Sequence, residues 1–238
     1  MKLTVLVSCL LGLLIGCQQP EPTQSSSSST KQDNKWLNPK IHKRFSLLSN
    51  DPAENRLIEA SPLEFIDGVE RQLSKCSEIE RTNIEQLVER EQELLMAAKI
   101  DCQIARRFIV AKAATTSFLP AQLDKDTLLS LPAGLLPTLN SKTSTQSPDD
   151  NLSALNISRI EMVQERVHQI AVNDVMLIKI TEVARADFNA DGVEDLMLIT
   201  EWGVTDSGDG TGIDLMIIED LGDRRKLIWQ FSDIISSL

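Results

Sequence analysis

Tyrosine is absent from this 238-residue chain, and the remaining aromatics are three tryptophans and six phenylalanines. So few flat side chains argue against an aromatic sugar groove or a base-stacking surface. Histidine is almost as scarce, with only His42 and His168. No G-x-S-x-G elbow, H-E-x-x-H helix or catalytic cysteine context accompanies them. No apolar run reaches the roughly 20 residues of a membrane-spanning helix. Positive charge is also in deficit. The net charge of −11 makes nucleic acid an unsuitable partner. The negative excess is local: Asp174 to Asp223 holds thirteen acidic residues against Lys179 and Arg185, leaving the rest of the chain balanced. Charge that concentrated points to a site.

What the chain does have begins at its first residues. Lys2 precedes an apolar run from Leu3 to Ile15, and Gly16 stands directly before Cys17. This is the layout of a signal peptide with a small residue at its cleavage site. Leu14-Ile15-Gly16-Cys17 resembles the lipobox of bacterial lipoproteins, whose cysteine is acylated and becomes the first mature residue. The resemblance implies a signal peptide over 1–16 and anchoring to the lipid bilayer through Cys17. Gln18, in the place where an Asp favours inner-membrane retention, implies the periplasmic face of the outer membrane. Residues 17–35 then read as a polar tether with five consecutive serines, Ser25 to Ser29, too poor in apolar surface to fold. As a flexible coil it holds its ends roughly 25 Å apart.

Periodicity divides the remainder. A helical module is expected over 36–137, with Trp36 and Phe45 as anchors of an irregular lead-in. Ser61-Pro62-Leu63-Glu64 has the composition of a capped helix start, followed by a stripe of Ile66, Val69, Leu73 and Cys76. Thr82-Asn83-Ile84-Glu85 repeats the pattern ahead of a second stripe running from Ile84 to Ile109. Leu131-Pro132 and Leu135-Leu136-Pro137 suggest short turns at the end of that helical layer. Residues 138–153 read as a polar linker. From 154 to 238 strands are expected at Ile157–Val163, Val175–Ala186, Leu196–Trp202, Ile213–Glu219 and Lys226–Phe231, joined by connections too short for crossover helices. The expected class is therefore α+β with a mainly antiparallel sheet.

Cys76 and Cys102 remain as an even pair in an oxidising compartment, which suggests a disulfide, with two buried free thiols as the alternative. Two antiparallel helices reversing near Arg81 would leave the pair roughly 20 Å out of register. A bond needs Cα atoms within about 7 Å. Either the second helix breaks before Cys102 or the two are not joined.

One segment of the mature chain carries specific chemistry. Asp187-Phe188-Asn189-Ala190-Asp191-Gly192-Val193-Glu194-Asp195-Leu196 places Asp187, Asn189, Asp191 and Asp195 at positions 1, 3, 5 and 9. Gly192 allows the tight bend, and the carbonyl of Val193 can point inward. These are hard oxygen donors in calcium-loop order. Leu198 stands where an EF-hand has its bidentate glutamate, and the flanks are strand-like. The segment resembles the calcium loop of FG-GAP and VCBS-type repeats. That resemblance implies a structural calcium ion and a sheet like one propeller blade; only one copy is present, so a full propeller is not implied. An acidic hairpin that caps its own turn is the plainer alternative. The second acidic loop, Asp206 to Asp214, offers Asp206 or Asp209 as an additional ligand. The functional expectation is a non-catalytic envelope lipoprotein mediating contact with another envelope protein. The alternative is a metal-assisted hydrolase acting on an envelope substrate.

Overall fold

Six strands follow one another along the chain and lie side by side in the same order. In the computed structural model, which describes residues 35–36, 45–47, 49, 51–57, 62–136, 150–204, 211–222 and 224–231, these strands are β6 (Ile157–Gln164), β7 (Val167–Val172), β8 (Met176–Ala186), β9 (Asp195–Val204), β10 (Thr211–Asp220) and β11 (Arg225–Gln230). Each is antiparallel to the next. Cys17 and residues 18–34 of the expected tether, His42, Asp206 and Asp209 lie outside the described residues, whereas Lys35, the last residue assigned to the tether, is a strand residue. All that is described belongs to the unit Lys31–Leu238.

Local chemistry sets the reversals. Asn173 and Asp174 take φ of 53° and 58° between β7 and β8, a conformation that Asn and Asp tolerate better than other side chains. Between β10 and β11, the carboxylate of Asp220 accepts the amide N–H of Gly222 at 2.9 Å. A short strand β1 (Lys35–Trp36) adds to β8 beyond the end of β7, setting Lys35 opposite Arg185 and Trp36 opposite Ala184, while β2 (Phe45–Leu47) and β3 (Arg56–Leu57) form a separate antiparallel pair. The α+β class with a mainly antiparallel sheet holds. All five expected strands are present, and β7 and the short β1 are the two strands of this sheet that were not foreseen.

Both faces of the sheet are covered. On one, Ile170, Ile178, Ile180, Leu196, Leu198, Met216 and Ile218 pack beneath Leu119, Leu123, Leu128, Leu131, Leu135 and Leu152. The expected short turns therefore cover the sheet instead of ending a helical layer. Leu152, assigned to the polar linker, is buried there, with its amide bonded to the Leu131 carbonyl at 2.8 Å. On the other face, Val183, Met197, Ile199, Leu215 and Ile217 meet Ile100 and Ile104 of a long helix.

That helix and its surroundings differ from expectation at two places. Pro62–Glu64 is not a helix start but a strand, β4, paired with β5 (Glu70–Gln72). The intervening Asp67-Gly68 explains why: Gly68 takes a φ of 75° and the Asp67 carboxylate accepts the Val69 amide at 3.0 Å, closing a turn that a helix cannot contain. Ile66 and Val69, expected on an inner stripe, are 70% and 49% exposed at its tip. The second capping pattern does not open the long helix. The Asn83 side chain accepts the Glu85 amide, but it caps only a 3₁₀ turn, Ile84–Gln86, and the long helix begins at Glu89.

The elements around this turn are α1 (Cys76–Arg81) and α2 (Glu89–Val110). A third helix, α3 (Lys125–Leu129), lies in the covering segment. Because α1 is a six-residue helix that Cys76 opens, no long helix pair exists to hold the cysteines apart. Cys76 and Cys102 are joined, with Cα atoms 5.4 Å apart. The bond sits in a third apolar cluster with Leu63, Phe65, Ile79, Leu87, Leu95 and Ala105. Thus α2 is buried on two sides, by the sheet through Ile100 and Ile104 and by this cluster through Leu95 and Cys102.

Candidate functional site at the β8–β9 loop

The calcium-type segment forms the connection from β8 to β9. Asp187 leaves β8 as a buried residue, bonded in both directions to Lys112 of the facing chain: Lys112 amide to Asp187 carbonyl at 2.9 Å, and the reverse at 3.0 Å. The chain then reverses through Ala190 and Gly192, at φ of 67° and 89°. The same 112–117 strap fastens the far side. The Thr115 and Thr116 amides donate to the Gly192 carbonyl, the Glu194 amide donates to Thr116, and the Ser117 hydroxyl donates to the Glu194 carboxylate at 2.6 Å.

Inside the turn the acidic side chains gather the loop's own N–H groups. Asp187 accepts the amides of Asp191 and Gly192 at 3.1 and 3.0 Å, Asp191 accepts that of Val193 at 2.7 Å, and Asp195 accepts that of Phe188 at 2.8 Å. The Asn189 oxygen accepts the Asp191 amide, and its amide nitrogen donates to Asp191 at 3.1 Å and to Glu219 at 2.9 Å. Asp187, Asn189, Asp191, Val193 and Asp195 therefore share one turn, as their spacing requires. Among the described residues no three carboxylate, imidazole or thiol side chains converge on a single point.

Electrostatics make this turn unusual. Asp195 is fully buried, and its Oδ1 has no hydrogen-bond partner. Burial pushes its carboxyl up to about 7, against the pull of the Phe188 N–H and with the negative charges of Asp191, Asp187 and Glu219 adding to the rise. Glu219 is also raised, first by burial and then by Asp191. Asp191 is held low, chiefly by the Val193 N–H. A buried carboxylate oxygen without a donor, beside three further acids, is what a bound cation would offset. The oxygens of this turn are hard donors, the kind that calcium takes.

Glu219 was not foreseen, because it comes from β10 rather than from the loop. Its signal is faint but present: it continues the row Ile213, Leu215, Ile217, where another apolar residue would be expected.

No family model matches this chain. No curated protein and no solved structure is significantly similar to it. The loop's own chemistry therefore carries the functional reading.

A second unforeseen feature lies at the same end of β8. Glu182 is completely buried, 2.9 Å from the Arg185 guanidinium and 3.2 Å from that of Arg166. The guanidiniums also donate to the carbonyls of Pro120 and Ala121, at 2.6 and 3.3 Å. His168 is buried with Nε2 3.9 Å from the Glu182 carboxylate. This network ties the strap's continuation to the sheet, so the loop rests on a scaffold held by charge as well as by packing.

Proposed function

We propose that the chain is a non-catalytic, lipid-anchored lipoprotein of the cell envelope, held at the periplasmic face of the outer membrane through acylated Cys17. Its sheet, resembling one propeller blade, presents a loop in which Asp187, Asn189, Asp191, Asp195 and the Val193 carbonyl hold a structural calcium ion. The folded body serves a contact with another envelope protein. The observation that carries the calcium reading is the buried Asp195 carboxylate with its unpartnered oxygen. When bound, the ion would supply the positive charge that this oxygen and its neighbours lack. The chain's own residues do the rest: the 112–117 strap fixes the turn, and Gly192 leaves no Cβ to press on Thr115, which it would meet at 3.2 Å.

The cell-envelope location is supported by the Leu14 to Cys17 motif and by the Cys76–Cys102 bond, which suits an oxidising compartment. Among the described residues no helix is long and apolar enough to cross a membrane. The anchor is tested by metabolic labelling. Cells producing the wild-type chain should incorporate labelled palmitate into it, and Cys17→Ser should abolish incorporation and leave an uncleaved or soluble precursor. Undiminished labelling of the variant would overturn the assignment.

A further inference from the structure

At one end of the sheet, β6 has no strand paired to its outer side among the described residues. An edge of this kind offers a row of backbone donors and acceptors to any chain that can lie beside it. Two features show what fits. Near its C-terminal end Met162 and Val163 are 59% and 43% exposed. Beside its N-terminal end lies a cleft of about 260 Å³ lined by Leu129, Leu155, Ile157 and Ser158 among others. One strand thus carries an apolar projection at one end and, at the other, a recess in which these apolar side chains mix with Lys125, Ser153 and Arg159.

The charges of β6 are complementary to themselves when the strand is reversed. Laid antiparallel to a second copy about Ile160, Arg159 of each strand falls opposite Glu161 of the other, Ser158 opposite Met162, and Ile157 opposite Val163. Both charge pairs are then complementary, and Met162 of each copy lies at the recess of the other. Arg159 and Glu161 are exposed, with side-chain accessibilities of 58% and 45%, and stand 3.9 Å apart on their own strand. Shifting the two-fold to Glu161 would set Arg159 against Val163 and lose both ion pairs. The register of β6 on β7 is regular from Arg159 to Met162 and shifts on either side, at Ser158 and at Val163, so the two charge pairs sit on the undistorted centre of the edge.

We infer that β6 is a self-association surface, through which two copies of this chain pair edge to edge about a two-fold at Ile160 and extend the sheet across both. Opposite charges set directly across an antiparallel pair stabilise it and like charges destabilise it. Sedimentation velocity of the full chain, in detergent density-matched to the buffer, tests this. The wild type should show a concentration-dependent dimer. Arg159→Glu and Glu161→Arg should each be monomeric, because each sets like charges across the two-fold. An equimolar mixture of the two variants should restore a dimer, since one edge is then wholly acidic and the other wholly basic. A monomeric wild type, single variants that dimerise as the wild type does, or a mixture that stays monomeric would each overturn the inference.

Discussion

Replacing Glu182 with glutamine should lower stability by about 3 kcal/mol, within the range for breaking a buried ion pair by removing one partner. The substitution keeps the side chain's shape but withdraws the charge that faces Arg185, only 9% exposed, and Arg166. Glu194, 4.0 Å from Arg185, compensates only in part. The same group gives a pH signature. Burial opposes charging of Glu182, yet His168 and the two guanidiniums outweigh it and hold the carboxyl below its usual 4.5. A folded-state value below the unfolded one contributes stability above about pH 4.5, lost as pH falls through the folded value. Urea unfolding should therefore show a lower midpoint for Glu182→Gln at pH 7 and a shallower loss of stability in acid. Equal midpoints for variant and wild type at pH 7 would show the network to be dispensable.

Reduction of the Cys76–Cys102 bond should be comparably costly. The cysteines are 26 residues apart in sequence, and releasing a loop of that length restores chain entropy to the unfolded state worth about 3.5 kcal/mol. Both residues are 1% exposed within the cluster that holds α1 and the β4–β5 hairpin against α2. The double variant Cys76→Ala/Cys102→Ala should lose somewhat more than reduction alone, because it also removes the packing of two buried sulfurs. Equilibrium unfolding with and without reductant measures the difference. An unchanged midpoint would mean that the cluster holds without the bond.

The sheet was legible because its signal is local. Alternation in Ile213, Leu215 and Ile217 marks one buried face, and short polar connections leave antiparallel pairing as the outcome. The helical half was less so, for an equally physical reason. A serine, a proline and a glutamate can open a helix, but Asp67-Gly68, beginning three residues after that glutamate, imposes a turn with positive φ, and the local capping pattern yields to it. β7 escaped notice because Val167–Val172 is buried along almost its whole length and breaks the alternation with His168. The loop from Asp187 to Asp195 could be read from spacing alone. Glu219 and Glu182 could not, since their importance comes from strands that pairing brings beside them.

The central claim is that the β8–β9 turn is completed by a cation. Calcium that binds the folded chain and not the unfolded one stabilises by about 2.7 kcal/mol at a hundredfold excess over its dissociation constant. For a body of this size that corresponds to roughly 5–10 °C in melting temperature. The most direct measurement is the thermal unfolding of wild type and Asp191→Ala, each with calcium and with a chelator. The account predicts that the wild type melts higher in calcium by that margin, and that the variant melts at one lower temperature in both conditions. Wild-type curves that coincide with and without calcium would show that the turn is held by its own N–H groups alone, and would contradict it.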